Sequence, residues 1–163
     1  MASKTPIVRQ VSWPSVIFQL ILLGLLICIF QIFEFAEPFF TAALTYAILA
    51  FGLRIKIARS HRKGLQLIKQ QKPIEALPFF EKSVNYFTKF NWIDKYRYLT
   101  LLSSSKMTYR EMGLCNIAFC YSQTGEGYKA KEVYQMILKE YPENGLAYAG
   151  YNMLNSLEQS QPD

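Results

Sequence analysis

The sequence predicts an all-α protein in which a two-helix transmembrane hairpin precedes a soluble helical part. Three observations carry this. Residues 13–57 are overwhelmingly apolar and are broken once, by the acidic stretch Glu34–Pro38. Beyond them, apolar side chains recur at helical spacing, as in Ile74, Leu77, Phe80, Val84 and Phe87. Proline or glycine stands where these segments start, turn or stop, at Pro73, Gly125 and Pro142.

Val16–Phe33 is free of charge and reaches about 27 Å as a helix, enough to cross a bilayer core. Trp13 and Pro14 suit its start, as an interfacial aromatic and a helix-opening proline. A signal peptide fits poorly, because the run is too long and no small-x-small cleavage site follows it. After the acidic break, Phe39–Leu53 is again uncharged, and Arg54 and Lys56 can snorkel so that the helix continues to Ile57. The expected anchor is thus residues 1–57, with helices at about 14–33 and 38–57. Gly24 and Cys28, with Ala43 and Ala47, offer small-x-x-x-small faces for helix contact. A single span followed by an interfacial or re-entrant segment is the alternative.

The net charge of +6 hides a split. Residues 54–110 hold 13 Lys/Arg against 3 Asp/Glu, whereas residues 111–163 hold 3 against 7. Lys4 and Arg9 precede the first run, Arg54, Lys56, Arg59, Arg62 and Lys63 follow the second, and Glu34 and Glu37 lie between. Both termini and the soluble part are therefore expected in the cytoplasm, with the basic block near anionic lipid headgroups. Nucleic-acid binding is the rival reading of this charge; no nucleic-acid motif accompanies it, so no nucleic acid is expected. Lack of eukaryotic sorting signals points to a bacterial inner membrane. Three cysteines make no disulfide framework, and Cys115 and Cys120 read as small buried residues.

Within residues 111–144, Leu114-x-x-Ile117-Ala118-x-x-Tyr121 is followed by Gly125, Ala130-x-x-x-Tyr134 and Pro142. This spacing resembles a tetratricopeptide repeat (TPR), with Ala118 in place of its glycine and Ile137 in place of a small residue. A second repeat-like segment spans about 58–88, where Gly64-x-x-Leu67 precedes Ala76-x-x-x-Phe80 and Ser83. The resemblance implies a TPR-like domain over 58–158: a short helical-hairpin solenoid with a capping helix at about 145–158 and a tail at 159–163. An insert at about 89–108 separates the repeats. There Trp92, Tyr96 and Leu99 share one helical face, either as a partner surface or as a cover for the seam between repeats. Thr108-x-x-Glu111 fits a capping box. Two repeats are fewer than a solenoid usually needs, so the missing burial must come from the insert, a partner, the membrane, or self-association as a homo-oligomer.

The inventory argues against an enzyme and implies no cofactor or metal. His61 is the single histidine and sits among Arg59, Arg62 and Lys63, where a solvated or interfacial side chain is expected. No cluster has metal-ligand spacing, and no nucleophile elbow or phosphate loop is present. What the resemblance implies is recognition. Ligands of this family lie along the first helices of the repeats, here His61, Leu65 and Lys69, then Met112, Cys115, Asn116, Phe119 and Gln123. Asn116 matches an asparagine of the carboxylate-clamp subgroup, whose cationic partners are not reproduced. A protein or peptide segment bound mainly through apolar contacts is the expected ligand, and the expected function is a membrane-anchored interaction scaffold. A structural subunit of a larger membrane complex is the alternative.

Overall fold

Three of the longer helices open on proline, whose missing N–H is no loss in a first turn. These are α1 (Trp13–Ile32) with Pro14, α2 (Pro38–Ile57) and α4 (Pro73–Lys89). The others are α3 (Arg59–Lys69), α5 (Asn91–Lys95), α6 (Arg97–Thr100), α7 (Tyr109–Gln123), α8 (Gly127–Glu140) and α9 (Gly145–Gln159). The computed structural model describes residues 11–159. Among these the only strand-like pairing is an isolated bridge between Val11 and Ser105. Lys4, Arg9 and the tail beyond residue 159 lie outside the described residues. Both α1 and α2 are long and apolar enough to cross a membrane.

Contacts divide the described chain into two compact units. One contains residues 11–59 and 90–108, the other residues 60–89 and 109–159. The insert therefore groups with the apolar helices, and not with the repeat-like segments as the sequence partition had it.

In the first unit α1 lies against α2. Phe18, Leu22, Leu26 and Phe30 form a half-buried stripe on α1, four residues apart, as one helix face requires. On α2 the buried small residues are Ala42 and Ala50. The expected small faces are corrected here: Ala43 and Cys28 are exposed, and a Cβ added at Gly24 would meet nothing within 4 Å. One residue along a helix turns the side chain by about 100°, which moves Ala43 off the contact line.

In the second unit α4 packs on α7, α7 on α8 and α8 on α9. Leu67, Ile68, Ala76, Phe80, Ile117 and Cys120 form one buried cluster. Ala76 and Phe80 on α4 have counterparts in Ala130 and Tyr134 on α8, all buried. The turns into α4 and α8 share a design. Lys72 N donates to Leu67 O, and Glu126 N to Tyr121 O, both at 3.0 Å, around left-handed residues Gln71 (φ 58°) and Gly125 (φ 80°). This is the Schellman closure, which glycine adopts without a steric penalty and glutamine does not. At Gly64 the requirement is different. A Cβ there would lie 2.8 Å from the Phe80 ring, so α3 approaches Phe80 through a bare backbone.

Asn144 fastens the last helix. Its Oδ1 accepts from Ala147 N at 2.8 Å, which caps α9, while its Nδ2 donates to Glu111 Oε1 at 2.8 Å. Arg110, at the start of α7, donates to Thr88 Oγ1 (2.8 Å) and Tyr141 Oη (3.0 Å) and pairs with Glu140. The ends of α4, α7 and α8 are thereby joined by polar contacts.

Candidate partner-binding face

Helix α7 is buried on most sides. Gly113, Leu114, Cys115, Ile117, Ala118 and Cys120 all point inward. The remaining residues of α7 are half-buried except exposed Gln123, and among them Met112, Asn116, Phe119 and Gln123 stand at i, i+4, i+7 and i+11. Phe119 packs against the core cluster from outside, as does Leu65 of α3. Lys69 of α3 is exposed. The Asn116 amide donates from Nδ2 to Met112 O at 2.7 Å, which fixes its orientation along the helix. The stripe on α7 thus offers Met112 and Phe119 as apolar contacts and Asn116 and Gln123 as polar ones, while Leu65 of α3 meets the same buried cluster as Phe119.

Two residues expected on this face are not available to a ligand. His61 is only 4% exposed, with its ring edge-on to Phe80 at 5.6 Å and to Tyr109 at 5.4 Å. Burial pushes its pKa down to about 4, and Nδ1 has no hydrogen-bond partner within the protein. The basic neighbours suggested a solvated histidine. Yet Arg59, Arg62 and Lys63 are exposed, on other faces of α3, and sequence adjacency says little about face. Cys115 is likewise buried; desolvation pushes its thiol up to about 12, and Asn144 Nδ2 lies 3.4 Å from its sulfur. Cys120 is also raised to about 12 by burial. Neither holds a thiolate at neutral pH, so neither has nucleophilic character there. Among the described residues, no three His, Cys, Asp or Glu side chains converge as metal ligands.

Trp92 and Tyr96 belong to the other unit, where both are exposed, at 59% and 42%. The reading in which they cover a seam between repeats is thereby corrected. Arg54, expected as a headgroup contact, is half-buried instead. Its Nε donates to Leu101 O at 3.1 Å and its Nη2 to Leu102 O. No short-range pattern could have shown this role, since the partner lies 47 residues away. Asn144 was equally hidden, although an asparagine before a helical run carries a capping signal.

No family model matches this chain, and neither a curated protein nor a solved structure is detectably similar to it.

Proposed function

We propose that the protein is a membrane-anchored interaction scaffold. In this reading α1 and α2 cross the membrane as a hairpin with both termini on the cytoplasmic side. The unit of residues 60–89 and 109–159 is a TPR-like stack, and it docks a segment of another protein. The observation that carries this is the half-buried stripe Met112, Asn116, Phe119 and exposed Gln123 on α7, whose Phe119 packs on the same buried cluster as Leu65. It runs over three turns and is apolar at Met112 and Phe119. The anchor would confine the partner search to two dimensions and so raise effective concentration.

Site-specific photo-crosslinking in intact membranes tests the proposal. A photoreactive residue replacing Gln123 or Lys69 should capture a discrete partner, and one replacing exposed Glu132 should not. Asn116→Asp together with Lys69→Glu should abolish the capture. If crosslinks form only from α1 and α2 to other membrane spans, the chain is an assembly subunit and the groove reading is wrong.

A further inference from the structure

The segment 90–108 is built as part of the anchor. The Tyr98 ring meets Phe18 edge-on at 5.2 Å, Ser12 N donates to Ser104 O at 2.8 Å, and Arg54 donates to Leu101 O at 3.1 Å. Phe18 stands five residues into α1, about 8 Å along its axis, and Arg54 stands three residues before the end of α2, about 5 Å. The segment therefore sits beside the first turns of α1 and the last turn of α2. In a helix pair about 30 Å long, that is the level where acyl chains give way to headgroups.

Its outward side has matching chemistry. Trp92, Tyr96 and Leu99 follow one another at i, i+4 and i+7 and are exposed at 59%, 42% and 54%. Lys95 lies among them with Nζ 5.7 Å from the Tyr96 ring centre, and Trp13 at the head of α1 is 74% exposed. Tryptophan, tyrosine and a snorkelling lysine beside leucine are the side chains of the membrane–water boundary. In water the same face would leave three large side chains bare.

The inner side is equally telling. Arg97 donates from Nε to Ser105 O (3.0 Å), from Nη2 to Lys106 O (2.5 Å) and from Nη1 to Asp94 O (3.0 Å). Thr100 Oγ1 donates to Ile93 O at 2.7 Å, and Arg54 serves Leu101 and Leu102. Irregular backbone in a water-poor layer must find its hydrogen bonds inside the protein, and here side chains supply them.

We propose that residues 90–100 lie in the membrane interface, with Trp92, Tyr96 and Leu99 inserted into the leaflet where α1 begins and α2 ends. The ligand of this surface is the lipid bilayer. The inference rests on α1 and α2 spanning the membrane, and the chain's own tryptophans separate the two ideas, because Trp13 and Trp92 are the two it has.

The test uses the full chain reconstituted in phosphatidylcholine–phosphatidylglycerol vesicles whose acyl chains carry bromine near the headgroup or near the chain end. Trp13→Phe leaves Trp92 as the reporter; Trp92→Phe leaves Trp13 as the anchor's reference. Trp92 should lose as much emission as Trp13, more to shallow bromines than to deep ones, and should resist aqueous iodide. Leu99→Asp, at an exposed site, should reduce Trp92 quenching and leave Trp13 unchanged. Should Trp13 be quenched while Trp92 stays bright in brominated lipid and yields to iodide, the segment faces water or a protein partner and the proposal is overturned. Quenching of neither tryptophan overturns the membrane reading of α1 and α2, and the proposal with it.

Discussion

The Arg54 guanidinium donates from Nε to the Leu101 carbonyl oxygen at 3.1 Å, tying the end of α2 to a loop 47 residues further on. The same side chain serves Leu102, a buried leucine held at φ 46°, in the left-handed region that favours glycine. One planar group thus holds two successive carbonyls of a strained turn, which a lysine's compact head could not do at once. Replacing Arg54 with Met leaves both oxygens without their donor. A hydrogen bond to a charged group contributes about 1.5–3 kcal/mol, so local opening of residues 99–106 should become roughly thirtyfold more frequent. Hydrogen exchange of the full chain in nanodiscs checks this: the Leu101 and Ser103 amides, which donate to Arg97 O, should exchange faster while α7 is unaffected.

Asn144 has a comparable double role in the other unit, since one amide caps α9 and holds Glu111 of α7. Loss of a cap costs about 1 kcal/mol, and loss of the half-buried bond to a carboxylate about as much again or more. Asn144→Ala should lower stability by about 2–3 kcal/mol. Asn144→Ser retains a capping oxygen and should recover part of that. Asn144→Asp also keeps the cap but sets a second carboxylate beside Glu111, and should be no better than Ala. Thermal unfolding of the full chain in detergent, followed by circular dichroism, gives the ranking.

Much of the helical layout was legible because it is written locally. Apolar period with Pro14 and Pro38 places α1 and α2 within a residue of the helices expected at about 14–33 and 38–57, while Pro73 opens α4 and Gly125 lies in the turn between α7 and α8. What the sequence concealed depends on contacts between distant residues. His61 was misread because its basic neighbours lie on another face, and what buries it is Phe80 and Tyr109. The allegiance of the insert was hidden for a similar reason: Tyr98 meets Phe18 across eighty positions, and no local pattern records that. Pro78 is the converse case, a residue that reads as a helix breaker yet stands exposed inside α4. The Ile74 carbonyl it deprives of a partner belongs to an exposed residue, where water can serve it.

At Gly64 the bare backbone of α3 closes on the Phe80 ring. In an open helix, Gly→Ala gains about 1 kcal/mol of propensity. Here the new methyl would lie 2.8 Å from Cε1 and Cζ of Phe80, which is fully buried and has no room to withdraw. Overpacking of that kind costs about 1–3 kcal/mol, so Gly64→Ala should be destabilising despite the propensity gain. The double variant Gly64→Ala with Phe80→Leu should lose less than the sum of the two single changes. That coupling, read from unfolding midpoints, is the signature of a shared contact.

His61 should make the stability of the second unit sensitive to acid. Its folded pKa is about 4, against about 6.5 for an unperturbed histidine, and the cause is burial. Above pH 6.5 the ring is neutral folded or unfolded, and stability is at its full value. As pH falls through that point the unfolded chain takes up a proton that the folded chain refuses, so folding is progressively disfavoured down to about pH 4. The difference in pKa sets the limit at about 3 kcal/mol, and about 2 kcal/mol of it should be lost by pH 5. Carboxylates titrate in the same range, so the comparison must be with a variant that keeps the ring packing. His61→Phe preserves the edge-on contacts with Phe80 and Tyr109 without a titrating group. Thermal unfolding of both proteins in detergent at pH 7.5 and pH 5 should show the wild type losing about 2 kcal/mol more than the variant. Equal losses in the two would mean that His61 is charged in the folded protein, and that its burial between the rings is wrong.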